Sequence, residues 1–319
     1  MTDSLSLPSL QGNGKSPKAG KAQAVVHVLT EEELAGWMRE RGRRVIFSQG
    51  RFWADHCGFF RLLHASATVP ADQLGRPSPS CWAFHVLLPD QDSQRANALY
   101  PLHLIRDLST FDERGLDTRA RQQLRRCKAT LQVVRIDEPD LLRDQGWAIF
   151  SRNAERLGLS GRVTEDEYLA EVDGYVTDPR RLVLGAMDGN RLLAYLETHA
   201  VADTAYLDRI RLSDESRTRQ VSGFLHYEAS QLYRASGLVT QLCAGPPVTN
   251  RPGISEFKRR WGIPIVLMPA HFWSPAPFRA LLRVARPGAY NRAVGLAPPR
   301  PGTTRVSSER AAEPGSGRL

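Results

Sequence analysis

The sequence predicts an α/β fold, in the α+β sense: a mixed, mostly antiparallel sheet flanked by helices. Three observations predict it. Strand and helix patterns alternate between residues 131 and 273, and Asp188–Gly189 joins two apolar runs as a tight hairpin turn. The strand at 204–212 is followed by an amphipathic helix and another strand, a β-α-β unit that needs a crossover connection.

In chain order, VVHVL (25–29) reads as a short strand, and Thr30 with Glu33 is a capping box that opens a helix ending near Gly42. RVIFSQ (44–49) is a strand, and CWAFHVLLP (81–89) is the clearest strand of the aromatic, proline-rich segment 50–110. Residues 116–130 form a strongly basic helix, and LQVVRI (131–136) alternates as a strand should. A helix over 140–159 offers Leu141, Leu142, Trp147, Phe150 and Leu157 for packing; a second, over 164–176, opens on the Thr164/Glu167 capping box. Strands at 181–187, 191–201 and 204–212 form a meander. One long helix is expected over 215–236, its apolar stripe set by Val221, Phe224, Leu225, Ala229 and Leu232. A strand (238–244), a short helix (254–262) and a last strand (263–273) follow; the stretch after Trp273 is too broken by Gly and Pro to be read as a helix. No internal repeat of 20–50 residues is present.

The chain has 319 residues and a net charge of +9, but the excess sits at its ends. Residues 1–24 carry +2 and residues 278–319 carry +6, which leaves 32 basic and 31 acidic residues in 25–277. Both ends are rich in Pro, Gly and Ser and are expected to be disordered, and the near-neutral body gives bulk electrostatics little hold on nucleic acid. The expected organisation is a leader (1–24), an N-terminal lobe (25–115), a second domain (116–277) and a basic tail (278–319). No apolar run reaches the roughly 18–20 residues of a transmembrane helix, and the N-terminus has no apolar signal core. Cys57, Cys81, Cys127 and Cys243 lie far apart, and neither they nor the eight histidines show metal-ligand spacing. Free thiols in a reducing cytoplasm, without metal, are the expectation.

Three segments carry a resemblance. LDTRARQQLRRCKA (116–129) resembles the basic helix that introduces the second domain of FemAB-like acyl and aminoacyl transferases. RLVLGAMDGNRLLAYLETHAVADTAYLDRIRLS (181–213) resembles their central hairpin, and GISEFKRRWGIPIV (253–266) is similar to the segment that closes their catalytic domain. Helix–helix–meander–helix–strand is also the layout of the GNAT acyltransferase fold. The resemblance covers about 116–273; residues 25–115 fit it as a smaller, degenerate GNAT-like lobe. It implies an acyl donor carried on coenzyme A or on tRNA, and an amine or hydroxyl acceptor such as a small metabolite or a glycan or lipid precursor.

The same resemblance places donor phosphates at the start of the long helix, where Arg217, Arg219, Gln220 and Gly223 match the phosphate loop in part; Leu225 stands where a second small residue belongs. Asp208 and Glu197, on strands that face the cleft in that family, are candidates for acid–base work, since a carboxylate among apolar residues is desolvated towards base duty. Strand alternation puts Tyr206, Asp208 and Ile210 on one face and Leu207 and Arg209 on the other. Tyr227 is a candidate proton donor to a leaving thiolate. Lys258 and Trp261 lie in a basic-aromatic patch and are candidates for substrate contact, although Phe257 and Trp261, four apart, equally fit a packed face. The basic helix 119–128 and the basic tail offer contact with tRNA or an anionic membrane surface, or a solvated face. Two functions follow: direct acyl transfer, with a backbone N–H near a strand break at 208–213 polarising the carbonyl, or a non-catalytic GNAT-fold scaffold at a membrane surface.

Overall fold

Thr30 and Thr164 open their helices as their spacing to Glu33 and Glu167 requires. Each hydroxyl accepts from the amide three residues on, and each glutamate accepts from the threonine amide. These and the features below belong to a computed structural model that describes residues 26–158, 161, 163–248, 252–285, 288, 290 and 291. The leader expected over 1–24 and most of the expected tail lie outside the described residues.

The first segment runs β1 (Val28–Leu29), α1 (Glu31–Glu40), β2 (Val45–Ser48), β3 (Arg51–His56), β4 (Phe59–Leu62), β5 (Ala83–Leu87) and β6 (Ala98–Ile105). Then come α2 (Thr118–Thr130), β7 (Gln132–Arg135), a single π-helical turn (Leu142–Gly146), α3 (Trp147–Leu157) and α4 (Glu165–Val176). The meander is β8 (Leu182–Asp188), β9 (Arg191–Val201) and β10 (Thr204–Leu212). The chain continues through α5 (Asp214–Thr218), α6 (Val221–Ser236), β11 (Gln241–Cys243), α7 (Pro252–Arg260), β12 (Ile265–Trp273) and α8 (Ala276–Ala285).

The twelve strands of the described residues join one sheet in the order β2-β3-β4-β5-β12-β6-β11-β10-β9-β8-β7, with β1 beside the end of β9 that β8 leaves free. Pairing is antiparallel except at β1/β9, β4/β5 and β10/β11. β12, from the second expected domain, lies between β5 and β6 of the first, so the sheet runs unbroken across residue 115.

Helices cover both faces of the meander, which is why its strands read as nearly continuous apolar runs. On one face Val221, Phe224, Leu225, Ala229 and Leu232 of α6 are buried, as their spacing predicts, together with Ala120, Leu124 and Cys127 of α2. Full burial of a leucine such as Leu124 contributes about 1.5–3 kcal/mol. On the other face Tyr168, Val172 and Tyr175 of α4 meet Tyr195 and Val183. Among the described residues no helix is long and apolar enough to cross a membrane.

Besides β3, β4 and β6, which the sequence did not single out, two elements differ from expectation. The single helix expected over 215–236 is two: Ser213 caps α5, and Gln220, left-handed at φ 51°, separates it from α6. A left-handed residue cannot continue a right-handed helix. Residues 276–285 form α8 where none was expected, because Phe278 anchors it on the Trp82 ring at 4.3 Å and the first proline that would interrupt it comes after Ala285.

Candidate active site

Strand β10 defines the site by two departures from regular pairing. It pairs with β11 only over Thr204–Tyr206, although β10 runs on to Leu212. Past Cys243 the chain stays with β6, through Ala244 N–H to His103 O and His103 N–H to Gly245 O, so a gap opens beside β10 beyond Tyr206. On its other edge β10 carries a β-bulge against β9: Leu207 pairs with Thr198 and Arg209 with Glu197, leaving Asp208 as the extra residue.

The bulge reverses the alternation that the sequence predicts. Leu207 and Ile210, rather than Tyr206 and Ile210, share the core beneath α6, while Arg209 and Arg211 turn to the opposite face beside Glu197 and Tyr195. Asp208 is swung onto His199, with Oδ2 2.5 Å from Nδ1. His199 is also stacked on Tyr206 at 5.0 Å and met edge-on by Trp37 at 5.6 Å. A carboxylate oxygen accepts, so this contact calls for the proton on Nδ1, and the tautomer that satisfies it has its lone pair on Nε2. That is an oriented base. Sequence reasoning singled out Asp208 and missed His199; pairing outward from the Ala202–Asp203 turn sets Tyr206 opposite His199, and only the bulge brings Asp208 within reach.

Glu197 sits in a different environment. Its carboxylate is 3.6 Å from the Arg181 guanidinium, both side chains being about 5% exposed, and Arg181 is held between the Trp37 and Tyr175 rings. Burial raises the Glu197 pKa, partly offset by a hydrogen bond from Tyr175. A cavity of about 460 Å³ opens between α3 and the segment that leads into α4, lined by Trp147, Phe150, Leu157, Val163 and Arg211.

The residues expected to hold donor phosphates divide. Gly223 lies under the Trp261 indole, where a Cβ would be 1.9 Å from a ring carbon. Arg219 bonds Asp188 at 2.7 Å and Glu215 at 3.1 Å, and its carbonyl accepts from Gln123 at 2.6 Å. Gly223 is committed to packing and Arg219 to ion pairs and hydrogen bonds. Arg217 and Gln220 remain exposed at the same turn and are the groups left to meet a phosphate.

The remaining candidates serve other contacts. Tyr227 is buried against Phe111 and beneath the Lys128 ammonium at 5.0 Å, away from the His199–Asp208 pair; burial pushes its hydroxyl far above the usual tyrosine range, a poor setting for a proton donor. Lys258 donates to the Ala244 carbonyl at 2.6 Å and, half-buried, has its pKa lowered. Trp261 is buried between Gly223 and Phe257, and Arg259 and Arg260 pair with Glu256. Among the described residues no His/Cys/Asp/Glu group is arranged to hold a metal.

No family model and no curated protein sequence matches the chain. Among solved structures, FemX is 11% identical and aligns over 78% of this chain and 92% of its own, at a TM-score of 0.49. The C-terminal domain of a protein described as a lysylphosphatidylglycerol synthetase, from Agrobacterium fabrum, is 14% identical over 76% of this chain and 88% of its own (TM-score 0.46). L-PGS from Bacillus licheniformis is 13% identical over 85% and 99% (TM-score 0.42).

Proposed function

We propose that the protein is an acyltransferase, moving an acyl group from a carrier-bound thioester or ester to an amine or hydroxyl acceptor, with His199 as general base. The observation that carries this reading is the bulge at Asp208, which fixes the tautomer of His199 beside the point where β10 and β11 part. The acceptor nitrogen or oxygen attacks the donor carbonyl carbon; the new C–N or C–O bond forms and the bond to the carrier breaks. The acceptor proton passes to His199 Nε2, and the carrier leaves with the electron pair and takes up a proton. Asp208 is a positioning residue that steadies the imidazolium. The edge of β10 beyond Tyr206, which has no strand partner among the described residues, supplies the backbone N–H groups near the developing oxyanion. Arg217 and Gln220 are the exposed groups for phosphates of a coenzyme A or tRNA carrier.

The test is donor consumption by the full chain, offered acyl-CoAs and aminoacyl-tRNAs with a panel of amine and hydroxyl acceptors. His199→Gln is expected to lower turnover by about 100-fold or more with melting temperature retained. Unchanged turnover in the folded variant, or no donor consumed by wild type, overturns the reading; a folded protein of the second kind is a binding module.

A further inference from the structure

On the face of the sheet that carries Tyr206, a second constellation takes no part in holding His199. Arg61 of β4 and His85 of β5 are register partners and project to the same side. Both line a cavity of about 160 Å³ bounded further by Tyr100, Tyr206, Cys243 and Gly245, at the mouth of the gap beside β10.

The polar groups here are incompletely satisfied. Arg61 reaches the Tyr100 hydroxyl through Nη1 at 3.5 Å, a long contact, while its Nε is buried without a partner. Its guanidinium lies over the Phe59 ring at 5.0 Å, and no carboxylate pairs with it among the described residues. His85 is 5% exposed, with Nε2 buried and unpartnered. Burial, with the charge of Arg61 beside it, pulls the His85 pKa down to about 3, so the ring is neutral and free to donate from Nε2.

Arg61 is half-buried, and a buried Nε without a partner is unfavourable; that Nε edge, together with the neighbouring Nη2, is the fork that matches two oxygens of a carboxylate or phosphate. We infer that this cavity is an oxyanion subsite: Arg61 and His85 bind a carboxylate or phosphate group of the acyl acceptor. The assignment to the acceptor, which rests on the acyl-transfer reading, follows from Tyr206. That ring lines the cavity and stacks on His199, so the subsite and the base share one face of β10. An acceptor anchored there by its anionic end presents its nucleophile towards Nε2.

The experiment is calorimetric titration of the full chain with inorganic phosphate and with acetate, at fixed ionic strength, with chloride as control. Saturable binding of phosphate or acetate, but not chloride, is expected in wild type, and which of the two binds tells the phosphate source from the carboxylate source. Arg61→Gln is expected to weaken it at least tenfold; should that variant not fold, Arg61→Lys, which keeps the charge and loses the fork, is expected to weaken it likewise. His199→Gln is expected to bind as wild type does, so the subsite is tested apart from catalysis. Binding with turnover absent defeats the acyl-transfer reading and leaves the subsite standing. Phosphate and acetate indistinguishable from chloride, or binding unchanged in the folded Arg61 variant, overturns the subsite and shows a water-filled cavity.

Discussion

A single methyl group at Gly223 separates a packing role from a phosphate-binding one. The Cβ of Gly223→Ala falls 1.9–2.4 Å from three carbons of the Trp261 indole, whereas carbon atoms in contact sit about 3.5–4.0 Å apart. The ring must therefore retreat by about 1.5 Å. It has little room: Trp261 is buried against Phe257, and its amide is tied to the carbonyls of Phe257 and Lys258 at 3.2 and 3.1 Å. Overpacking of this kind costs about 1–3 kcal/mol, and the overlap places Gly223→Ala at the upper end. Replacing a helical glycine by alanine returns up to about 1 kcal/mol. The net expectation is a destabilisation of about 2 kcal/mol, read as a fall in melting temperature of about 4 °C for a chain of this size. Trp261→Leu removes the obstacle, so the double variant is expected to be more stable than the sum of its parts by about 1 kcal/mol or more. An equal or raised melting temperature in Gly223→Ala, with the two substitutions additive, refutes the packing account and returns Gly223 to the donor loop.

Two further perturbations probe the buried charges. Glu197→Gln leaves the Arg181 guanidinium without its counter-charge and is expected to cost about 3–5 kcal/mol, with Glu197→Gln/Arg181→Met recovering much of it; a melting temperature that does not move sinks this structural reading. Acidification is expected to destabilise the protein below about pH 6.5, because burial depresses His85 and His226 to about 3. Between those limits the unfolded chain binds protons that the folded one refuses, so stability rises with pH by about 1.4 kcal/mol per pH unit for each histidine. The raised carboxyls of Glu197 and Glu228 act with the opposite sign above their unfolded pKa, and so blunt the loss. Equal melting temperatures at pH 7 and pH 5 contradict this assignment.

Local chemistry made much of the fold legible. The capping boxes at Thr30 and Thr164, the Asp188–Gly189 turn and the stripe of α6 are each specified within a few residues, and each is found where its residues demand. The insertion of β12 between β5 and β6 had no such signature, because its partners lie about 170 residues away in sequence and are chosen by the assembled sheet. The left-handed Gln220 carries no glycine to announce it. Trp261 read as both packing and contact residue, and only the closeness of its ring to Gly223 decides for packing.

The bulge in β10 shows why the site was harder to read than the fold. Period-two alternation is a rule about unbroken strands, and one extra residue inverts every assignment beyond it. TAYLDRIRL alternates plausibly in either phase, with Tyr206, Asp208 and Ile210 on one face or, as found, Leu207 and Ile210 together and both arginines opposite. The second phase buries Ile210 under α6 and moves Arg209 and Arg211 out of the core, so the gain in burial and the relief of two desolvated charges both favour the bulge. Its by-product is the chemistry. Asp208, freed from pairing, has no cross-strand partner of its own and falls on the ring nitrogen of His199. The acidic residue was therefore visible as an oddity in a strand, while the base it orients was hidden in a neighbouring strand, nine residues back, among eight histidines that share no common spacing.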